Sequence, residues 1–291
     1  MKQIVENYCR ITTKAPAVFV FALDVSGSML EKIWFNDSMR TKSEVVSIMV
    51  NRMLSEIVNR STRDNGCRDY FKIAVLGYGR DRVEPLLGNS QSVTFFTSSQ
   101  IDSLETDLVY YNVPRILADG VRYMSTISQR QWIKPQGEGN TPMLCGLEEA
   151  ARLVAEALRE NTEESVPPIV FNITDGVASD ASPAELLVAA ERIKSLKNKN
   201  GNSILFNIHI SSDSATESIV FPSDKKSFES NSYAELLYSM SSIMPERFTK
   251  GIVELTQKSA SAAPFRAMSY NASVFELFQM LSIGTVSSVF M

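Results

Sequence analysis

The sequence contains few of the residues that form the common metal and redox centres. It has one histidine, His209, and three cysteines, Cys9, Cys67 and Cys145, which are far apart and form no Cys-x-x-Cys or Cys/His pattern. This distribution disfavours both a zinc site and a disulfide framework, so reduced thiols are expected.

The sequence also lacks an excess of positive charge. Lysine and arginine number 29 against 33 aspartates and glutamates, which gives a formal net charge of -4. A chain with this balance has no basic excess with which to follow a phosphate backbone or an anionic bilayer. We therefore expect a protein that binds neither nucleic acid nor membranes.

Long hydrophobic runs and targeting signals are missing as well. No apolar run approaches the length of about 20 residues that spans a bilayer. Residues 1–16 mix charged and polar side chains and do not show the pattern of a signal peptide. These observations predict a cytoplasmic protein.

What the sequence does contain is an alternation of short apolar runs and helical patterns. Four runs rich in Val, Ile and Phe fit strands buried on both faces of a sheet, at residues 17–23, 71–78, 168–174 and 203–210. Apolar side chains recur at helical spacing in residues 41–58, 141–158 and 182–197. Because parallel strands need crossover helices, the predicted fold class is α/β, a doubly wound, mostly parallel sheet flanked by helices.

The helical patterns carry recognisable start signals. Capping boxes are predicted at Thr41–Glu44 and Ser182–Glu185. Thr141 followed by Pro142 predicts an N-cap and a first helical position.

The organisation of the rest of the chain is less regular. We predict a single domain over residues 1–291, with an inserted subregion at about 81–137 and a helical C-terminal extension at about 232–291. The extension is predicted to contain helices at 233–244 and 273–281.

Within the insertion, residues 83–88 and 93–99 have the composition of edge strands, and residues 114–127 have the pattern of a helix after a proline. Its aromatic residues are expected to form a local core and not a partner surface. These residues are Phe95, Phe96, Tyr110, Tyr111 and Trp132.

Side chains with hard oxygen atoms collect at the predicted ends of the strands. Asp24, Ser26 and Ser28 follow the first apolar run. Thr141 follows a glycine-rich loop, and Asp175 follows another apolar run. In an open α/β sheet these ends meet at one edge, and oxygen-only ligands suit Mg²⁺ or Mn²⁺. Each residue alone could be an ordinary turn or cap, so the metal hypothesis rests on their joint occurrence.

The same residues carry a family resemblance. DVSGS at 24–28 resembles the DxSxS motif of von Willebrand factor A domains, NTPM at 140–143 resembles the loop that supplies the family's threonine, and ITDG at 173–176 resembles its second aspartate loop. Together they resemble a complete metal-ion-dependent adhesion site. The resemblance runs from about residue 16 to about residue 250 and is interrupted by the insertion.

The resemblance implies a binding role for each residue. Ser26 and Ser28 would bind Mg²⁺, or Mn²⁺, directly, and Thr141 would bind it directly or through water. Asp24 and Asp175 would bind it directly or through ordered water. The remaining coordination position would accept an Asp or Glu carboxylate from a partner protein.

A narrower resemblance, to bacterial cytosolic proteins that consist of this domain alone, implies a stress-response complex, such as those of tellurite resistance, or a signalling complex. Its companion would be of kinase or phosphatase type. The expectation is a protein-interaction module and not an enzyme.

Three alternatives remain open at this point. A Mg²⁺-dependent phosphatase of the haloacid dehalogenase type would use Asp24, but it needs a second acid where this chain has Ser26. A serine hydrolase would use Ser26, Asp175 and His209, but the chain has no GxSxG motif and His209 lies inside an apolar run, as core residues do. In a structural scaffold the metal site would be vestigial, although the complete set of ligand types counts against this.

Overall fold

The computed structural model describes residues 11–35, 38–116, 121–160, 165–210, 218–228 and 231–271. Its main strands are β1 (Ala17–Asp24), β2 (Lys32–Phe35), β3 (Ser38–Thr41), β4 (Phe71–Gly79), β5 (Arg82–Pro85), β6 (Asp107–Ile116), β7 (Arg122–Gln131), β8 (Ile169–Thr174), β9 (Ile204–His209) and β10 (Met268–Tyr270). Its helices are α1 (Lys42–Ser61), α2 (Ser98–Ser103), α3 (Met143–Glu160), α4 (Pro183–Ser195), α5 (Ser232–Met240) and α6 (Thr249–Thr256). Two-residue strands lie at Thr62–Arg63, Gly66–Cys67, Phe96–Thr97, Lys197–Asn198, Gly201–Asn202 and Ile219–Val220, and short 3-10 turns at Gly27–Leu30, Lys226–Phe228, Glu246–Phe248 and Ala260–Ala262.

The central sheet confirms the predicted α/β class. Its order is Ile219–Val220, β10, β9, β8, β1, β4 and β5, with Phe96–Thr97 also paired to β4. The five inner strands from β10 to β4 are parallel, and the pieces at both margins are antiparallel. All the parallel strands therefore end at one edge of the sheet, which is where the candidate residues lie.

The two faces of the sheet are covered by different helices. Phe19, Phe21 and Leu23 of β1 belong to the apolar cluster that includes α1, whereas Val20 and Ala22 belong to the cluster that includes α3, α4 and α5. This alternation follows from the two-residue period of a strand. Every residue of β1 is buried, which explains why the sequence shows a continuous apolar run instead of an alternating one.

Both predicted capping boxes are present. The Thr41 side chain accepts a hydrogen bond from the backbone N–H of Glu44, whose carboxylate accepts one from the Thr41 N–H. Ser182 and Glu185 make the same pair of contacts at the start of α4.

The inserted subregion has more β-structure than the sequence predicts. Within the predicted helix at 114–127, the described residues 114–116 and 122–127 belong instead to an antiparallel hairpin of β6 and β7. This hairpin packs against α1, where the side-chain amide of Gln129 donates a hydrogen bond to the carbonyl of Ile48. The prediction was wrong because half-buried Ile127 and buried Gln129 are two residues apart, with exposed Ser128 between them, which is the period of a strand.

The aromatic residues of the insertion divide between interior and surface. Tyr111 and Trp132 are buried, and the Trp132 indole N–H donates to the carbonyl of Ile101. Tyr110, on the opposite face of β6 from Tyr111, is exposed, contrary to expectation. Its exposure follows from the alternation of side chains along the strand.

Residues 231–271, where the sequence predicts only helices, contain both helices and a strand of the central sheet. Helix α5 (Ser232–Met240) overlaps residues 233–244, where a helix is predicted, but it begins one residue earlier and ends four residues earlier. The segment also contains α6 and the sheet strand β10. The predicted helix at 273–281 lies outside the described residues. None of the helices in the described ranges is long and apolar enough to cross a membrane.

Candidate metal site

The candidate site lies where β1 and β8 end side by side. Leu23 is the register partner of Ile173, so the next residues, Asp24 and Thr174, lie beside each other at the edge of the sheet. Asp175 follows directly. Two carboxylates from distant parts of the sequence are thus brought together by the parallel pairing.

Asp24 is buried and held on both oxygens. Its Oδ1 accepts the backbone N–H of Ser26 at 2.9 Å, and its Oδ2 accepts the hydroxyl of Thr174 at 2.8 Å. Burial raises the pKa of Asp24 to about 6; the hydrogen bonds from Ser26 oppose this shift and the neighbouring charge of Asp175 adds to it. A nearby positive charge would therefore stabilise the ionised form of the Asp24 carboxylate, which burial disfavours.

Ser26, Ser28 and Asp175 form a chain of oxygen atoms. The hydroxyl oxygens of Ser26 and Ser28 are 3.1 Å apart, and the Ser28 hydroxyl donates to Oδ1 of Asp175 at 2.7 Å. Neighbouring ligands of an octahedral ion with bonds of about 2.1 Å lie about 3.0 Å apart. The separations and the hard-oxygen chemistry of these three side chains therefore fit a small divalent cation.

The loop that carries Thr141 is attached to the serine loop by its backbone. The N–H of Gly27 donates to the carbonyl of Gly139 at 2.9 Å. Gly139 has a positive φ of 71°, which favours glycine. A Cβ on Gly139 would come within 2.9 Å of the Cα of Arg80, so glycine at this position allows the loop to pass close to Arg80.

Thr141 itself lies against the loop that follows Asp175. Its N–H donates to the Ser179 hydroxyl at 3.1 Å, and its carbonyl accepts the Ser179 N–H at 2.9 Å. Thr141 is buried, with 8% of its surface exposed. The segments of all five candidate residues are thus connected at one edge, while direct side-chain contacts join Ser26, Ser28 and Asp175.

The cap of α3 differs from the sequence prediction. The helix begins at Met143, one residue after Pro142, and the N–H groups of Leu144 and Cys145 donate to the carboxylate of Asp180, each at 3.1 Å. An acidic side chain at a helix N-terminus is favourable. The second aspartate loop therefore caps the helix that begins after the threonine.

Lys42 is the main residue of the site that sequence reasoning missed. It is the first residue of α1, its side chain is 5% exposed, and its Nζ donates to Oδ2 of Asp175 at 2.8 Å and to Oε2 of Glu31 at 2.7 Å. Burial alone would lower the pKa of Lys42, but the contacts with Asp175 and Glu31 outweigh it and raise the pKa, so the amine stays charged. One signal was present in the sequence, since a lysine in the first turn opposes the helix dipole.

His209 lies at the end of β9 on the same edge. Its ring stacks on Tyr270 at 4.3 Å between ring centres, and Tyr233 meets it edge-on at 5.7 Å. Its Nδ1 is buried without a hydrogen-bond partner, and burial lowers its pKa to about 4. Since the Ser26 hydroxyl pairs with Ser28, Ser26 and His209 are not arranged as nucleophile and base.

Histidine, cysteine and acidic side chains do not cluster as metal ligands in the described ranges. No group of three or more of them converges there. The candidate site has two carboxylates and depends on hydroxyl groups for its other oxygens.

Comparisons with known proteins give only distant likenesses. No protein-family model matches the chain. No curated protein matches it either. Among solved structures, a von Willebrand factor type A protein from Catenulispora acidiphila is 14% identical, with 68% of this chain and 34% of that chain covered and a TM-score of 0.37.

Two other solved structures give similar values. Proximal thread matrix protein 1 from the mussel byssus is 14% identical, with 79% and 42% covered and a TM-score of 0.41. The SpRpn10 VWA domain is 12% identical, with 78% and 83% covered and a TM-score of 0.36. The chain thus matches less than half the length of the first two proteins. Likenesses this distant carry no information about the function of this chain.

Proposed function

We propose that this chain is a metal-dependent protein-interaction module. Ser26, Ser28 and Thr141 would hold Mg²⁺ or Mn²⁺, with Asp24 and Asp175 acting directly or through water. The observation that carries the proposal is the chain of oxygens from Ser26 through Ser28 to Asp175, with separations of 3.1 and 2.7 Å. When bound, the ion would supply an electrophilic centre that accepts a carboxylate from an Asp or Glu of a partner protein.

The surroundings of the site support a protein as the partner. Leu30, two residues after Ser28, and Val177, two residues after Asp175, are both exposed. The hairpin of β2 and β3 begins beside Glu31 and presents Trp34 and Met39, paired across the two strands, to solvent. Exposed apolar side chains around a polar centre are typical of protein-binding surfaces. By the sequence resemblance, we extend the proposal to a bacterial stress-response or signalling complex in the cytoplasm, with a kinase- or phosphatase-type companion.

The phosphatase alternative is less well supported. A phosphatase of this kind would use Asp24 as a nucleophile, yet Asp24 is 1% exposed and both of its oxygens accept hydrogen bonds. The position of the general acid is occupied by Ser26, which cannot protonate a leaving group at neutral pH. We therefore propose a binding role and not a catalytic one.

The ion-binding part of the proposal is tested by thermal unfolding of the full chain with and without Mg²⁺. At a concentration of 100 times the dissociation constant, Mg²⁺ should stabilise the fold by about 2.7 kcal/mol. Asp24→Ala should abolish the shift. Asp69→Asn is a matched control, because Asp69 accepts the Ser99 N–H at the start of α2 and lies outside the candidate set. No shift in the wild type at millimolar Mg²⁺ would contradict the proposal.

The partner-binding part is tested by affinity capture from the native cytoplasm with Mg²⁺ and with EDTA. A specific protein that is lost both with EDTA and with Asp24→Ala, but retained with Asp69→Asn, is the expected result. Hydrolysis of a phosphate ester that depends on Asp24 would instead support the enzyme.

A further inference from the structure

The buried Lys42 is a cation inside a site that is proposed to bind a cation. Its side chain is 5% exposed, and the side chain of its partner Asp175 is fully buried. Glu31, its second partner, is 57% exposed. The first residue of α1 thus places a positive charge against the buried carboxylate of Asp175.

Lys42 and Ser28 each donate a hydrogen bond to a different oxygen of the Asp175 carboxylate. Oδ2 accepts the Lys42 amine at 2.8 Å, and Oδ1 accepts the Ser28 hydroxyl at 2.7 Å. Because one oxygen is held by the amine, the other is directed toward the two serines. Metal-binding carboxylates are commonly oriented in this way by hydrogen bonds from outside the coordination sphere.

The stability of the fold does not by itself explain why a lysine occupies position 42. A buried ion pair contributes little net stability because both charges lose their hydration. A lysine at the N-terminus of a helix also opposes the helix dipole. The position of Lys42 is therefore better explained by what its charge does to the neighbouring oxygen cluster.

We propose that Lys42 offsets one of the two carboxylate charges of the metal site and thereby lowers its affinity for a divalent ion. The inference rests on the proposed metal-binding function and adds to it a control of affinity. With Lys42 present, the site holds a divalent ion less tightly, and the occupied site keeps more positive charge for the carboxylate of a partner. Glu31 moderates this effect because it shares the amine.

Mn²⁺ binding to the full chain, measured by electron paramagnetic resonance of the free ion, tests the proposal directly. Lys42→Met should bind Mn²⁺ roughly tenfold more tightly, since a nearby positive charge is lost. Glu31→Gln should bind it roughly threefold more weakly, a smaller change because Glu31 is exposed and screened. Lys72→Met is the matched control: it breaks the Lys72–Glu160 ion pair of 2.9 Å, which lies outside the candidate set, and should leave the affinity unchanged.

The two substitutions should change the Mn²⁺ affinity in opposite directions, which distinguishes a charge effect from a loss of structure. If Lys42 only supported the fold, Lys42→Met would bind Mn²⁺ equally or more weakly, and that result would overturn the inference. If Lys42→Met does not fold, Glu31→Gln decides: weaker binding supports the inference and unchanged binding overturns it. Absence of Mn²⁺ binding by the wild type would instead refute the proposed function itself.

Discussion

Two neighbouring regions at the same edge of the sheet, the paired ends of β1 and β8 and the end of β9, have different chemical surroundings. At the ends of β1 and β8, Asp24 and Asp175 are surrounded by hydroxyl, amide and ammonium donors. At the end of β9, His209 lies between the rings of Tyr270 and Tyr233, with Nδ1 unpartnered. Burial acts on both ends, but only the first is supplied with polar groups that could hold an ion. Topology therefore brings residues to the edge, while local partners decide whether a side chain there lies among polar groups or among aromatic rings.

The largest effect that tests this comparison is the pH dependence of His209. Its pKa falls from the usual 6.5 to about 4 on folding because of burial. Between these values the unfolded chain binds more protons, so the folded state loses stability as the pH falls through this window. Relative to His209→Phe, the wild type should lose about 3 kcal/mol of unfolding free energy between pH 7.5 and pH 4.

Urea unfolding in EDTA measures this difference, and NMR titration of the single histidine gives its pKa separately. Parallel stability curves for the two proteins, or a pKa near 6.5 in the folded protein, would contradict the account of this strand end.

An effect of similar size but opposite sign is expected from Asp24. Its pKa rises from 3.8 to about 6 on folding, mainly through burial. The folded state then binds more protons between these values, so the contribution of Asp24 to stability is present below pH 3.8 and is lost as the pH rises through about 6. In EDTA at pH 7, Asp24→Asn should therefore be more stable than the wild type by roughly 3 kcal/mol, and the difference should vanish near pH 3.5.

Urea unfolding at both pH values checks this prediction. Millimolar Mg²⁺ should reduce the advantage of Asp24→Asn at pH 7, since only the wild type should bind the ion well. An Asp24→Asn protein that is less stable than the wild type throughout this range would show that the hydrogen bonds of Asp24 outweigh its burial.

The smallest expected effect comes from the aromatic stack. Tyr270→Leu removes the parallel contact of 4.3 Å with His209 and should lower the unfolding free energy by about 1 kcal/mol. The Mg²⁺-induced stabilisation should be unchanged, because the stack belongs to the other strand end. Tyr123→Leu, on an exposed part of the β6–β7 hairpin, is the control. Loss of the Mg²⁺ shift in Tyr270→Leu would show that the two strand ends are coupled.

Local sequence patterns were sufficient to predict the scaffold. Strands such as β1 and β8 are buried on both faces, so they are continuous apolar runs of characteristic length. The capping boxes at Thr41 and Ser182 depend on residues three apart, which a sequence shows directly. Because parallel strands end at one edge, the grouping of Asp24 with Asp175 also followed from topology.

Contacts between distant segments were not predictable in the same way. Asp180 caps α3 across more than 30 residues of sequence, a contact that Thr141 and Pro142 gave no reason to expect. Lys42 reaches Asp175 only because the chain folds back through β2 and β3, which brings Glu31 beside it. Strand β10 has three residues, too few for a periodic pattern.

The central proposal is that the hydroxyl groups of Ser26 and Ser28, beside Asp175, bind a divalent cation, and anomalous X-ray scattering tests it most directly. Crystals grown with millimolar Mn²⁺ should show one anomalous peak about 2.1 Å from the hydroxyl oxygens of Ser26 and Ser28. Lys42 should remain on the opposite oxygen of Asp175. An ordered site without a peak, with the Lys42 amine in contact with the serine hydroxyls instead, would contradict the account.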